Sequence, residues 1–268
     1  MNPTNQEGQT PQVRSQAYFG KTARAYLTSA IHAKGHDLQL MVDVASELLG
    51  GGLQGVPVLD VATGAGHTAL AFAKAGAQVT ATDITPEMLA TTREHANDQG
   101  ITLTVQEAAA EALPFEDEMF TCLTCRIAAH HFASVATFLA EARRVLQPNG
   151  ILLIVDNVSP EHTQVATYMN TIEKTRDASH VRALSVSEWV SQAAIQGLDC
   201  MYLSRWQRRK NFPEWCTRAG MSAANQAALE QMILELDTPT QTYLGVELAD
   251  GKLDILCHEA ALLAFVKR

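Results

Sequence analysis

A buried strand that runs into a glycine bend and then into a helix is the feature that most constrains this chain. Residues 56–61 form an almost unbroken apolar run with several β-branched side chains, which is typical of a parallel strand covered on both faces. The run breaks at residues 63–66, Thr-Gly-Ala-Gly, and strong helix formers follow as far as Gly76. This order predicts an α/β fold in which backbone and a helix N-terminus approach a nucleotide-like ligand.

A second strand ends in an acid at the spacing of a ribose site. Asp83 closes the strand predicted over residues 79–83, about twenty residues after Gly64. An acid at this place can accept hydrogen bonds from ribose hydroxyls. The sequence therefore predicts a site for an adenosyl cofactor.

Two classes of cofactor fit this geometry. Residues 64–69 satisfy the loose G-x-G-x-x-G/A fingerprint of dinucleotide-binding enzymes, which keeps an NAD(P)-dependent oxidoreductase as an alternative. Asp60, however, lies inside the end of the first strand. Because a carboxylate repels a pyrophosphate and attracts an ammonium group, Asp60 favours S-adenosylmethionine (SAM), whose α-amino group is a cation.

Two blocks of sequence resemble the class I SAM-dependent methyltransferases. Residues 59–66 look like motif I of that family, and residues 83–89 resemble its ribose-binding block. The resemblance implies a Rossmann-like α/β fold: a seven-stranded, mostly parallel sheet with an antiparallel last strand, helices on both faces and a helical lid. The residues it implies for cofactor binding are Asp60, Ala62, Gly64, Gly66, Asp83, Ile84, Met88, Ala110, Glu111 and Arg126.

The loop after the third predicted strand departs from that family. Residues 108–115 match its adenine-binding loop, but Ala109 stands where the family has an aspartate. We therefore expect the backbone of Ala110 and Glu111 to make the adenine contact.

The chain also resembles a narrower bacterial group within the ubiquinone/menaquinone-biosynthesis-type methyltransferases (methyltransferase type 11). The segments that carry this resemblance are residues 32–35, 59–67, 124–132 and 173–180. It implies methyl transfer but does not name a substrate. We expect a small, apolar or aromatic acceptor such as a quinone-like molecule, and the acceptor atom stays open. A non-catalytic SAM-binding protein is a further alternative.

Histidines follow the fourth predicted strand, at the sheet edge where open α/β folds bind ligands. A base is needed only if the acceptor loses a proton, and histidine suits that role at neutral pH. We expect either His130 or His131 to act, with His130 favoured, the alternative being that they cap the loop. Arg126 either orients an anionic substrate or pairs with an acid such as Asp156.

Further polar residues are expected on the substrate side. Residues 173, 176, 177 and 180 share one face of a helix predicted over residues 164–180. Two N-terminal helices flank a link with two histidines, and either histidine contacts ligand or is a loop residue before Asp37, the predicted helix N-cap. The substrate-side residues are thus predicted to be His32, His36, Arg176 and His180.

The predicted domain organisation is a disordered lead-in over residues 1–16 and one domain over residues 17–268. Within this domain, the parts are an N-terminal helical cap (17–50), a cofactor-binding core (56–156) and substrate-side helices with a hairpin (157–258).

The composition limits the classes of partner and the location that we expect for this chain. The net charge of −9 argues against nucleic acid, and the sequence has no apolar run long enough for a membrane span. The five scattered cysteines fit a reducing cytoplasm, and Cys122 and Cys125 are interpreted as buried thiols. We expect a cytoplasmic enzyme with a small-molecule substrate and no metal site, and a homodimer stays open.

Overall fold

The computed structural model describes residues 9–28 and 35–268. The strands are β1 (Pro57–Val61), β2 (Gln78–Asp83), β3 (Thr104–Glu107), β4 (Phe120–Arg126), β5 (Leu146–Asn157), β6 (Leu198–Asn211), β7 (Glu247–Ala249) and β8 (Lys252–Lys267). The helices are α1 (Pro11–Thr28), α2 (His36–Leu48), α3 (His67–Lys74), α4 (Pro86–Asp98), α5 (Val135–Val145), α6 (Thr163–Arg176), α7 (Val186–Ile195), α8 (Phe212–Arg218), α9 (Ala223–Leu234) and α10 (Thr238–Tyr243).

The strands form one sheet in the order β3-β2-β1-β4-β5-β8-β6, and β7 pairs with β8 beside this order. The strands from β1 to β5 pair in parallel, whereas β8 is antiparallel to both β5 and β6. This confirms the predicted mostly parallel α/β fold with an antiparallel C-terminal strand. The short β7 brings the described sheet to eight strands, one more than predicted.

The hairpin predicted near the C-terminus joins β7 to β8. Asp250 and Gly251 both have positive φ, 51° and 76°, as a two-residue type I′ turn requires. One continuous strand, β8, follows this turn. Strand β6 runs as far as Asn211, and its last residues carry charged side chains toward the site.

The core lies on both faces of the sheet. One buried cluster packs α5 and α7 against the sheet and includes Phe138 and Trp189. The opposite face is covered by α2 and α3 through Met41 and Phe72. A third cluster around Trp215 joins α6, α8 and α9 to β8. The third cluster thus fixes the helices that follow β5 over one end of the sheet.

Helix α1 corrects the predicted lead-in, because residues 11–16 are helical. The helix begins at Pro11, and proline suits a first helical position, where its missing N–H costs nothing. Ser15 is buried, and Gln16 Nε2 donates a hydrogen bond to Ile84 O at 2.7 Å. The start of α1 therefore packs against the chain that follows β2.

Helix α6 ends four residues earlier than predicted. Its last residue is Arg176, and Asp177 has extended backbone angles. Ser179 N and Oγ both donate to Asp177 Oδ1, at 2.9 and 2.6 Å. Local bonds of this kind compete with helical backbone bonds, so the predicted polar stripe over residues 173–180 is not one helical face.

The structure also bears on the two neighbouring cysteines and on the absence of a predicted membrane span. Cys122 and Cys125 are buried and unpaired, which confirms their interpretation as buried thiols. No helix in the described part of the chain combines the length and the apolar character that crossing a membrane requires.

Candidate active site

A cavity of about 950 Å³, open to solvent at its mouth, lies beyond the carboxyl ends of β1, β2 and β4. Nine of the ten residues predicted to bind cofactor line it: Asp60, Ala62, Gly64, Asp83, Ile84, Met88, Ala110, Glu111 and Arg126.

Asp60 presents a buried carboxylate to this cavity. Thr63 Oγ1 donates to its Oδ2 and Thr124 Oγ1 to its Oδ1, both at 2.6 Å. Burial raises the pKa of Asp60 to about 6, although the two hydroxyl groups act to lower it. A cation that entered the cavity would stabilise the ionised form. The site is therefore suited to a positively charged group.

Asp83 ties together the turns that follow β1 and β2. Its Oδ2 accepts a hydrogen bond from Gly64 N and its Oδ1 one from Thr85 N, each at 2.9 Å. Burial raises the pKa of Asp83, and these backbone donors oppose that rise. Because each carboxylate oxygen has a second lone pair, the side chain can also accept bonds from two ligand hydroxyls.

The two glycines of the bend have different roles. Both have positive φ, 57° at Gly64 and 83° at Gly66. A Cβ on Gly64 would meet nothing within 4 Å, whereas a Cβ on Gly66 would lie 2.8 Å from Thr92 Cγ2. Gly64 therefore opens the cavity, and Gly66, which is not among the cavity-lining residues, allows α4 to pack closely. A contact between Gly66 and cofactor stays a prediction.

The predicted adenine-side residues are held by the fold. Ala110 is buried, and the Glu111 side chain accepts a hydrogen bond from Ala133 N at 2.8 Å. Glu111 is thus engaged by the loop before α5. The adenine contact expected from the backbone of Ala110 and Glu111 stays a prediction.

A second cavity, of about 650 Å³, adjoins the first, and Phe19, Ile127 and His131 line both. His130, Arg176 and His180 line the second cavity, together with Glu173 and Asp177. The predicted polar residues therefore do lie together, but the turn after α6 brings them together instead of one continuous helical face.

His130 is held by Asp156, at the end of β5. The Nδ1 atom of His130 is 2.6 Å from Asp156 Oδ1, and His130 N donates to Asp156 Oδ2 at 3.0 Å. Burial acts to lower the pKa of His130, but the Asp156 carboxylate outweighs it and raises the pKa. With Nδ1 engaged, Nε2 is the ring atom free for proton transfer in this cavity-lining residue.

His131 and His180 are in a different electrostatic state. Burial, followed by the charge of His130, lowers the pKa of His131 to about 4 and that of His180 to about 3. His180 Nε2 contacts Asn170 Oδ1 at 2.9 Å. Both rings are therefore neutral near pH 7, whereas the Asp156 carboxylate raises the pKa of His130 above its ordinary value.

Arg126 pairs with Asp37, which corrects the predicted pairing with Asp156. Arg126 Nε donates to Asp37 Oδ2 at 2.8 Å, and Arg208 Nη2 donates to the same oxygen at 3.0 Å. Asp37 is also not the N-cap of α2, because Gly35 holds that position. Burial acts to raise the pKa of Asp37, but the two guanidinium groups lower it. One buried carboxylate thus joins α2, β4 and β6.

We expect Asp37→Asn to lower the free energy of unfolding by about 3–5 kcal/mol, because it leaves two buried guanidinium groups facing a neutral amide. Urea unfolding at pH 7 measures the change. Asp43→Asn on the same helix is the matched control, since the Asp43 carboxylate accepts an exposed bond from Gln39, and it should stay within about 0.5 kcal/mol of wild type. Equal effects in the two variants would contradict a structural role for this ion triad.

The predicted contacts of the N-terminal histidines have different outcomes. His36 is exposed, and its ring packs edge-on against Trp206 with centroids 4.9 Å apart. It is not among the residues that line either cavity, so its predicted substrate contact is not supported. His32 lies outside the described residues.

Sequence reasoning missed Asp156, Arg208 and Lys210 as residues of the site. Arg208 and Lys210 are two apart on β6, and side chains at that spacing point to the same face of a strand. That alternation was the available signal, but it depends on β6 extending beyond residue 206.

The sequence and the fold both match known methyltransferases. A family model described as a methyltransferase domain matches residues 59–154. YcgJ of Bacillus subtilis, described as an uncharacterized methyltransferase, is 33% identical over 255 residues, which span 93% of this chain and 98% of YcgJ. The crystal structure of YcgJ matches with a TM-score of 0.83 at 31% identity, covering 87% of this chain and 98% of that one. The ubiquinone/menaquinone biosynthesis C-methyltransferase UbiE of Bordetella avium is 33% identical over 139 residues, 45% of this chain and 54% of UbiE.

Proposed function

The chain belongs to the class I SAM-dependent methyltransferases, and on that basis we propose that it transfers the methyl group of SAM to a small-molecule acceptor. The observation that carries the proposal is the convergence of Asp60, Gly64 and Asp83 around one cavity at the end of the sheet. These residues come from β1, the glycine bend and β2. Asp60 offers a carboxylate to a cation, the bend at Gly64 lets the backbone lie close to a ligand, and Asp83 offers acceptors to ribose hydroxyls.

The residues present fit SAM. A buried carboxylate whose pKa is raised by burial suits the ammonium group of the cofactor, so Asp60 would hold that group. Asp83 would accept hydrogen bonds from the ribose, and the open space beside Gly64 would admit the ligand close to the backbone. When bound, SAM supplies a methyl group that is already activated by a sulfonium centre. The protein then contributes mainly alignment and exclusion of water.

We further propose that His130 is the general base when the acceptor must lose a proton. Asp156 holds its Nδ1 atom, so Nε2 is available as the proton acceptor in the second cavity. The low pKa of His131, about 4, makes His131 the weaker base. Since His131 lines both cavities, its proposed role is to shape the passage between cofactor and acceptor.

Calorimetric titration tests the proposed cofactor. We expect S-adenosylhomocysteine to bind at one site, and we expect its affinity to be unchanged when NADH or NADPH is present. Tight binding of a nicotinamide nucleotide without binding of S-adenosylhomocysteine would support the oxidoreductase instead. A protein that binds S-adenosylhomocysteine but transfers no methyl group to any extract would support a non-catalytic SAM-binding protein.

The glycine bend gives a second test, in which two similar substitutions act differently. Gly64→Ala should weaken S-adenosylhomocysteine binding at least about tenfold, because a methyl group would occupy the space through which backbone meets ligand. Its cost in stability should be roughly 1–2 kcal/mol, from the left-handed backbone alone. Gly66→Ala should lower the free energy of unfolding by about 1–3 kcal/mol more than this, because its methyl group would overpack against Thr92. Urea unfolding and calorimetry of both variants measure the contrast, and the reverse order of effects would contradict these roles.

The acidic net charge of −9 supports a small molecule rather than nucleic acid as the acceptor. A cytoplasmic location and a homodimer stay predictions. Light scattering on the purified protein checks the second of these.

A further inference from the structure

We propose that the acceptor carries an anionic oxygen group, a carboxylate or a phosphate, and that Arg176 binds this group in the second cavity. The inference names the acceptor class of the methyl transfer proposed above and rests on that proposal. It differs from the apolar, quinone-like acceptor that the sequence led us to expect.

The second cavity is basic in an acidic protein. The whole chain has a net charge of −9, yet the cavity lining contains more cations than carboxylates. The charged residues that line it are Arg176, Arg208, Lys210, Arg218, Glu173 and Asp177. A cleft lined with an excess of one charge concentrates ligands of the opposite charge.

The two carboxylates of the lining are already engaged. Glu173 Oε1 accepts a hydrogen bond from Lys210 Nζ at 3.0 Å and lies 2.6 Å from His258 Nδ1. Burial acts to raise the pKa of Glu173, but the charges of Lys210 and His258 hold it well below its usual range. Asp177 Oδ1 accepts two hydrogen bonds from Ser179. Glu173 therefore serves chiefly as the counter-ion of Lys210.

Arg176 is largely buried and held in place by its neighbours. Its side chain is 12% exposed, and its Nη1 atom is 3.7 Å from Glu173 Oε2. The guanidinium group lies 4.7 Å from the ring centroid of Trp215, and Nε donates to Trp215 O at 3.2 Å. Among the side chains and backbone that the structure describes, neither Nη1 nor Nη2 of Arg176 has a hydrogen-bond acceptor. A carboxylate or phosphate matches the two-pronged geometry of these donors, so an anionic group would supply the acceptors that the described protein atoms do not.

Arg208 also contributes positive charge to the second cavity. Its Nη1 donates to Asn157 Oδ1 at 3.3 Å and its Nη2 to Asp37 Oδ2. Asp37 serves Arg126 as well, so this one carboxylate is shared between two guanidinium groups. Arg208 therefore adds positive charge to the lining of the second cavity, with Asp37 shared and the Asp156 carboxylate also acting on it.

An apolar acceptor fits these charges poorly. It would remove water from Arg176 and Arg208 without replacing the lost hydrogen bonds, which is unfavourable for both cations. An anionic group at Arg176 instead leaves the remainder of the acceptor beside His130 and His131, which line the same cavity. His131 also borders the cofactor cavity, so the reacting atom can lie between the two sites.

The test uses SAM with a labelled methyl group and a bacterial small-molecule extract, separated after reaction on an anion-exchange resin. We expect the labelled product to be retained by the resin and released by salt. With the retained acceptor fraction, Arg176→Gln should raise KM at least tenfold with a smaller change in kcat, and Arg176→Lys should recover part of the loss. Lys174→Gln removes an exposed charge from the same helix and should match wild type.

Two outcomes overturn the inference: label in the unretained fraction, or the same KM in Arg176→Gln as in wild type. Titration with S-adenosylhomocysteine separates this from the proposed function, because Arg176→Gln should bind it as wild type does. Failure of the wild-type protein itself to bind S-adenosylhomocysteine would count against the proposed function.

Discussion

Replacing His130 with glutamine is expected to lower kcat by about 10²–10⁴-fold for an acceptor that must lose a proton, the usual contribution of a positioned base. The expectation follows from the buried pair of His130 and Asp156, whose closest atoms are 2.6 Å apart. Binding of S-adenosylhomocysteine should be unchanged, since His130 lines the second cavity and not the first. Transfer of labelled methyl groups, measured beside a binding titration, gives both quantities.

Two matched variants sharpen this result. His131→Gln should lose less activity, because a ring whose pKa is about 4 is a weak base. His162→Gln, at an exposed position before α6, should behave as wild type. A larger loss in His131→Gln than in His130→Gln would contradict the assignment of the base.

The pH profile carries a further signature of the pair. Because Asp156 raises the pKa of His130 above its ordinary value, activity should be present above this pKa and lost as the pH falls through it. Asp156→Asn removes the charge that raises the pKa, so the acid limb of the profile should move to lower pH. The variant should also be slower, since the amide no longer fixes the ring by its charge.

The second large effect is expected at Asp83. Asp83→Ala should weaken S-adenosylhomocysteine binding by about 10²–10⁴-fold, since hydrogen bonds to a charged group contribute about 1.5–3 kcal/mol each and two ribose hydroxyls lose their acceptor. The variant also leaves Gly64 N and Thr85 N without the carboxylate that they contact. Calorimetry measures the loss. Asp98→Asn, at an exposed position on α4, is the control, and equal binding by the two variants would contradict the assignment of Asp83 to the ribose.

The cofactor half was predictable because its signals are local. The strand, the glycine bend and the following helix are contiguous, and parallel strands end at the same edge of a sheet. Asp60 and Asp83 therefore had to approach one another once β1 and β2 were recognised. The packing role of Gly66 was not predictable in this way, because its close approach to Thr92 depends on the packing of α4, which the motif does not report.

The substrate half depends on contacts between distant residues. Asp37 lies 89 residues from Arg126 and 171 from Arg208, so no pattern along the chain could pair them. For the same reason, the sequence suggested Asp156 as a partner of Arg126, whereas in the structure Asp156 contacts His130. Helix α6 ended early because the Asp177 side chain bonds to Ser179, an interaction that helical periodicity does not contain.

The central claim is that one cavity holds the ammonium group of SAM at Asp60 and its ribose at Asp83. A crystal structure of the protein with S-adenosylhomocysteine tests it most directly. The account predicts the nucleoside beyond the ends of β1 and β2, with its ribose hydroxyls on the Asp83 carboxylate and its amino group near Asp60. Density for the nucleoside in the second cavity or elsewhere, with these two carboxylates uncontacted, would contradict it.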